Sequence, residues 1–267
     1  MNKAAFKLKG LPPIYCINLD GEPHRWEAAE NMFKEWEVEN YTRVSAYDGR
    51  EDDLSDILKG KYPNNMTSSE VGCTTSHLKA LKMFLETDAP CALMMEDDCD
   101  ISTAFHWGFT WKDFYSQVPY DYDVIQLAII NPASVYAQMH RRFINDFSTA
   151  CYMITRHHAE KLVRLHCRGD KYKLDQNVKP RAVADDLIYN SGNTFAIPLF
   201  LYKLELGSSI HDIHIHVFHK SSYEGIWGFW KINLLTSMIG THTLIMTHTS
   251  IVFHLVLKAS NKQNLYS

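Results

Sequence analysis

An apolar run that ends abruptly in acid constrains this chain more than any other feature. Residues Cys91 to Met95 are all apolar, Glu96, Asp97 and Asp98 follow at once, and Asp100 lies just beyond. The run is long enough for a buried strand. Carboxylates crowded at its end repel one another, and desolvating them even partly is costly unless protons or a cation compensate. In open α/β sheets, ligands bind where strands finish at their carboxyl ends. The corner is therefore a candidate seat for a hard divalent cation, which prefers oxygen ligands. A solvated acidic turn capping the next segment is the plainer alternative.

The flanking sequence reads as strands alternating with helices. Pro12 and Pro13 introduce a short apolar strand, Ile14 to Leu19, broken by Asp20-Gly21. Residues 22 to 37 form a helix pattern, with Pro23 suited to the first turn and Trp26, Ala29, Phe33 and Trp36 on one face. Arg43 to Tyr47 is a second strand, and 50 to 67 a polar surface loop. Ser68 or Ser69 can cap a helix through Glu86 that aligns Leu78, Leu81 and Leu85. Further strands are expected at 124 to 130, 150 to 155 and 194 to 202, with helices at 156 to 166 and 184 to 189. This order predicts an α/β fold with a mixed, largely parallel sheet flanked by helices in a single domain.

Composition excludes several classes. A chain of 267 residues with 46% hydrophobic and 22% charged residues is globular, and a net charge of -4 leaves no footprint for nucleic acid. The six cysteines are scattered, which argues against a disulfide framework and for a reducing compartment. With no apolar stretch near Met1 to read as a signal peptide, a cytoplasmic location is expected. Ile232 to Leu257 holds no Asp, Glu, Lys or Arg over 26 residues, a length that can span a bilayer. His242, His248 and His254 and many Thr and Ser oppose spanning. A helix covering the sheet or a peripheral membrane contact fits better.

Three further groups carry chemistry. Asn18, Asp20 and Arg25 sit where the first strand ends and a helix begins, an edge that can hold a nucleotide or can be simple turn chemistry. Gly72-Cys73-Thr74-Thr75-Ser76-His77 opens a helix with polar side chains a turn apart, as cleft or as cap. Asp185-Asp186 precedes a histidine-rich stretch with His211, His214, His216 and His219. A carboxylate at a helix start can act as general base, and imidazoles can ligate a metal. A capping aspartate and an exposed, weakly basic loop are the alternatives.

Taken in order, four segments resemble glycosyltransferase family 25. They are Ile17-Asn18-Leu19-Asp20 with Arg25, Gly72-Cys73 to Ser76-His77, Met95-Glu96-Asp97-Asp98, and Ala184-Asp185-Asp186-Leu187. Thr149 to Thr155 is similar to the family's small-residue strand. That family includes bacterial lipooligosaccharide galactosyltransferases and collagen β-galactosyltransferases. The resemblance covers about residues 13 to 222 and leaves 223 to 267 as an apolar extension. Where the family often carries a second arginine in the first motif, this chain has Gly21 and Glu22.

The resemblance implies a GT-A-like fold, a UDP-sugar donor, often UDP-galactose, and inversion at the anomeric carbon. Glu96, Asp97 and Asp98 then match the motif that holds Mn²⁺ and the donor diphosphate, with Asp98 the direct ligand. Asn18 and Arg25 lie by the nucleotide, and Ser76 and His77 line the donor pocket. Asp186 is the expected base, Asp185 the second candidate, and His216 or His219 completes the metal shell. The acceptor is a glycan, lipooligosaccharide or collagen-like protein hydroxyl. Two other classes use the same residues: a metal-dependent hydrolase drawing on His214 and His216, and a catalytically silent binding or adhesion protein.

Overall fold

The computed structural model describes residues 2–50, 53–131, 138–174, 181–204 and 219–238. In chain order its elements are β1 (Ile14–Asn18), α1 (Pro23–Glu35), β2 (Tyr41–Ser45), α2 (Ser68–Leu85), β3 (Cys91–Glu96), β4 (Cys99–Asp100), α3 (Trp111–Tyr115) and β5 (Val124–Gln126). There follow β6 (His140–Arg141), β7 (Cys151–Thr155), α4 (Arg156–His166), β8 (Cys167–Arg168), β9 (Lys171–Tyr172), α5 (Ala184–Tyr189), β10 (Thr194–Ala196), β11 (Leu201–Tyr202) and α6 (Lys220–Met238).

Successive side chains of a strand point to opposite faces, and that period sorts the core into two layers. Ile14 and Cys16 of β1, Leu93 and Met95 of β3, and Cys151 and Met153 of β7 pack with Ala29 and Phe33 of α1 and with Ile226 and Trp230 of α6. Tyr15, Ile17, Ala92, Met94, Tyr152 and Ile154 face the other way, onto Leu78, Leu81 and Phe84 of α2, Leu162 of α4 and Leu187 of α5. Helices therefore cover both faces of the sheet, so its inner strands read as unbroken apolar runs.

The main sheet has seven strands in the order β2-β1-β3-β7-β5-β10-β6. β2, β1, β3, β5 and β10 run one way, while β7 opposes both of its neighbours and β6 opposes β10. The antiparallel β7 has a specific consequence. Its beginning, at Ala150 and Cys151, meets the end of β3, and the Glu96 N–H donates to the Ala150 carbonyl at 2.8 Å. Residues from two distant segments thus converge where the acidic run starts.

Several boundaries differ from the sequence reading. The helix at 68 is capped by Thr67, not Ser68 or Ser69: the Thr67 hydroxyl accepts from Glu70 N–H and the Glu70 carboxylate accepts from Thr67 N–H. The polar stretch 50 to 67 holds a short 3-10 helix at Leu54–Ile57 that buries Leu54. The strand expected over 194 to 202 is divided. β10 joins the main sheet, and β11 pairs antiparallel with β4 in a small second sheet just past the acidic corner. Pro198 lies between them, where a ladder N–H would be missing.

Residues 232–238 of the charge-free C-terminal stretch form the end of α6, whose Ile226 and Trp230 pack over the sheet side lined by α1. Trp230 donates its indole N–H to the Pro198 carbonyl at 3.1 Å. Among the described residues, no helix is long and apolar enough to cross a membrane. The remainder of that stretch, with His242, His248 and His254, lies outside the described residues.

The close approach of the 46–50 loop to α2 depends on glycine. A Cβ at Gly72 would lie 2.6 Å from the Tyr47 carbonyl oxygen and 2.9 Å from the Gly49 nitrogen. Gly72→Ala should therefore cost about 1–3 kcal/mol through backbone overpacking. The drop is read from the midpoint of urea unfolding; an unchanged midpoint would show that the loop yields freely.

Candidate active site

Period-two alternation continues through the acidic run and parts its members. Glu96 turns toward α2 and Asp97 toward α1. The Asp97 carboxylate accepts from Arg25 Nε at 2.8 Å and Nη2 at 2.5 Å, and from Asn18 Nδ2 at 2.7 Å. Asn18 also donates to the Glu22 carbonyl at 3.2 Å and accepts from Arg43 at 3.0 and 2.6 Å. That accounts for both its amide hydrogens and both lone pairs of its oxygen. Asn18 and Arg25, expected by the nucleotide, and Asp97, expected at the metal and donor diphosphate, are joined to one another and fasten β1, α1, β2 and β3 together.

On the other face, His77 of α2 reaches Glu96: Nε2 lies 3.2 Å from Oε1, and Nδ1 lies 3.1 Å from the Tyr152 hydroxyl. Thr149, just before β7, donates its hydroxyl to the same Glu96 oxygen at 2.7 Å. Burial opposes charge on Glu96, yet the hydrogen bond and charge of His77, then Thr149 and Arg25, hold the carboxyl below its ordinary range. Ser76 donates to the Gly72 carbonyl at 2.6 Å and accepts from Tyr47 N–H at 2.8 Å. The sequence pattern from Gly72 to His77 is thereby explained: Gly72 admits the loop, Ser76 pins it, and His77 holds Glu96.

Asp98 is placed differently. Its backbone carbonyl accepts from Lys203 N–H at 2.7 Å, which anchors it to the small β4–β11 sheet. One side-chain oxygen, Oδ2, lies 3.6 Å from Arg25 Nη2. The other, Oδ1, is buried with no hydrogen-bond partner. Burial, with the charges of Glu96 and Asp97 outweighing Arg25, pushes this carboxyl up to about 8.

Of the two candidate bases, Asp185 is the one turned to this corner. Its Oδ1 is also buried without a partner. Burial, opposed by Arg142 and reinforced by the Glu96 charge, lifts it to about 6, while the Ser148 backbone N–H bonds it. Ser148 itself sits at φ 99°, a left-handed backbone rarely adopted by a side-chain-bearing residue, which turns the chain into β7. Asp186 accepts from Asn190 Nδ2 at 3.1 Å, one turn along α5. The sequence puts Asp186 before Asp185 as base; of the two, Asp185 is the one whose carboxylate feels the Glu96 charge, and Asp186 bonds along its own helix.

A cleft opens beside these groups, between β1, the 46–50 loop and the start of α2. Its walls include Asn18, Arg25, Tyr47, Asp48, Arg50, Cys73, Ser76, His77, Glu96 and Asp97. Arg50 was missed in the sequence because it sits in a segment read as plain surface loop; Asp48 holds it at 2.7 Å. Thr149, Tyr152 and Arg142 were likewise not singled out as site residues, since only the β7 crossover brings them here. His219 accepts from the Tyr202 hydroxyl through its backbone carbonyl at 2.7 Å. His211, His214 and His216 lie outside the described residues.

The family model described as "Glycosyltransferase family 25 (LPS biosynthesis protein)" matches residues 11–176. No curated protein matches. Among solved structures, "Crystal Structure of A197 from STIV" matches at 12% identity over 72% of this chain and 84% of its own, with a TM-score of 0.32. That likeness is too loose to bear on fold or chemistry.

Two outcomes follow from the electrostatics. Asp97→Asn takes from the buried Arg25 its nearest counter-charge and should destabilise the protein by about 3–5 kcal/mol, measured by denaturant unfolding; a loss under 1 kcal/mol would contradict the pairing. In metal-free protein, Asp98 and Asp185 keep protons that the unfolded chain has released. The folded state binds more protons, so their contribution declines as pH rises from about 4, the unfolded value, through about 6 for Asp185 and about 8 for Asp98. Thermal melts across this range should show Asp98→Asn flattening the upper part of the decline, whereas an unaltered slope above pH 6 would count against the raised Asp98.

Proposed function

Since this chain belongs to glycosyltransferase family 25, we propose that it is an inverting, metal-dependent hexosyltransferase of GT-A type. In this reading it moves galactose from UDP-galactose to a hydroxyl of a saccharide acceptor such as lipooligosaccharide. The observation that carries the reading is the pair of buried, partnerless carboxylate oxygens, Asp98 Oδ1 and Asp185 Oδ1, acting on a corner that already holds Glu96. Such oxygens are costly unless something compensates them.

The donor set fits a divalent cation. Asp98 would be the ligand, with Glu96 adjoining; both offer hard oxygens, and Asp98 would give up its proton on binding. A cation held there would supply Lewis-acid stabilisation for a departing diphosphate. In this reading His216 or His219 completes the metal shell; His216 lies outside the described residues.

The chain's own groups do the rest. The cleft beside β1 receives the nucleotide, with the Tyr47 ring and the Arg50 guanidinium on its wall. Arg25 and Asn18 keep Asp97 in place, so the first carboxylates after β3 hold their directions without rearrangement. His77 and Thr149 fix Glu96 in its charged form. Asp185 takes the acceptor hydroxyl's proton as the anomeric carbon is attacked from the face opposite the leaving group. Its raised value of about 6 suits a base working near neutrality. Arg142 and the Ser148 N–H steady it. A single displacement inverts the anomeric centre.

Transfer from UDP-galactose with Mn²⁺, followed by product analysis, tests these assignments. Asp98→Asn should abolish transfer while the melting curve stays cooperative. Asp185→Asn should lose about 10²–10⁴-fold in kcat, and Asp186→Asn should keep most of it. Wild-type turnover by Asp98→Asn would refute the metal assignment. Equal losses for Asp185→Asn and Asp186→Asn would refute the choice of base.

A further inference from the structure

The same corner presents a second, softer set of ligand atoms. Cys73 Sγ, a ring nitrogen of His77 and a carboxylate oxygen of Glu96 all lie within 4.8 Å of one another. Cys73 and His77 are four apart on α2 and so stand one above the other on the face turned to β3. Glu96, the last residue of β3, completes the triangle. We propose that Cys73, His77 and Glu96 form a binding site for a thiophilic divalent cation of the zinc type, separate in chemistry from the oxygen seat at Asp98.

The geometry is close to what such an ion needs. Zinc bonds of about 2.0–2.3 Å space tetrahedral ligand atoms about 3.3–3.7 Å apart. His77 Nε2 and Glu96 Oε1 are already 3.2 Å apart, and the Cys73 sulfur lies within 4.8 Å of the ligand atoms of both residues. Thiolate, imidazole and carboxylate are a donor set that favours zinc over manganese or magnesium. Three protein ligands on a cleft wall leave the fourth position open to water.

The surroundings support a cation. Burial first, then the charges of Glu96 and Asp185, push the Cys73 thiol well above its ordinary range, so a bare thiolate is costly there and a cation offsets that cost. A second ring of contacts is also in place: the Tyr152 hydroxyl holds His77 Nδ1 at 3.1 Å, and Thr149 holds Glu96 at 2.7 Å. A hydroxyl can donate or accept, so the ring proton can pass to Nδ1 when Nε2 binds metal. On binding, the Cys73 thiol proton leaves to solvent and a sulfur–metal bond forms, with no change of oxidation state. Glu96 then serves two seats. If the proposed transfer reaction holds, zinc at this site withdraws Glu96 from the donor corner and blocks the cleft.

Cobalt(II) is the probe, because a cobalt–thiolate bond gives an intense near-ultraviolet charge-transfer band. The full-length protein, reduced and stripped of metal, is titrated with Co²⁺. The band should saturate at one equivalent and be bleached by Zn²⁺. It should vanish in Cys73→Ser, and His77→Gln should weaken binding at least about tenfold. No band in the wild-type protein, or an undiminished band in Cys73→Ser, overturns the site. The wild-type titration decides even if the variants fold poorly. Transfer activity does not enter this readout. A manganese-dependent transferase without the band loses only this site, whereas a band in a chain that moves no sugar overturns only the proposed function.

Discussion

The buried ion pair between Arg25 and Asp97 is the contact on which the corner depends. Arg25 comes from the first turn of α1 and Asp97 from the residue after β3, so the pair locks helix to strand at the carboxyl edge of the sheet. Consecutive residues of an extended chain alternate in direction, and three carboxylates in a row could not share one face without severe repulsion. Alternation sends Glu96 to His77 and Asp97 to Arg25. Asp98, past the end of the strand, lies 3.6 Å from Arg25 through Oδ2 and keeps Oδ1 buried without a hydrogen-bond partner. A charged corner is stabilised by making two of its members structural and reserving the third.

This division orders the chemistry. Glu96 is kept ionised by His77 and Thr149, and its standing charge helps to raise both Asp98 and Asp185. Groups whose surroundings push their proton affinities apart are the ones available for distinct roles. The antiparallel β7 is indispensable here, since only a strand running against β3 delivers Ser148 and Thr149 to the edge where β3 ends. The Cys73 thiol, lying against the same carboxylates, adds a chemistry that hard-cation binding does not need.

Much of the fold was legible in the sequence because the buried strands are unbroken apolar runs and the long helices carry one apolar face each. β1, α1, α2, β3, α4 and α5 fall within a residue or two of where the patterns put them. The division of 194 to 202 between two sheets was not legible, since both pieces are equally apolar and their partners are remote. The direction of β7 was hidden for the same reason: hydrophobic periodicity carries no sign. At the site, the residue types and their order pointed to segments that the fold brings together at one corner, but not to which side chains are saturated. Asn18, Ser76 and Asp97 look like ligand-binding groups in the sequence and are engaged by the protein itself. Asp185 and Asp186 are adjacent, and only the turn of α5 distinguishes them.

Manganese electron paramagnetic resonance tests the central claim, that the acidic corner seats a cation through Asp98 together with a nucleoside diphosphate. Free Mn²⁺ gives a six-line signal that fades when the ion is bound by protein. With UDP present, the wild-type protein should quench that signal with a stoichiometry of one, and Asp98→Asn should leave it at the level of UDP alone. Equal quenching by the two proteins would contradict the account.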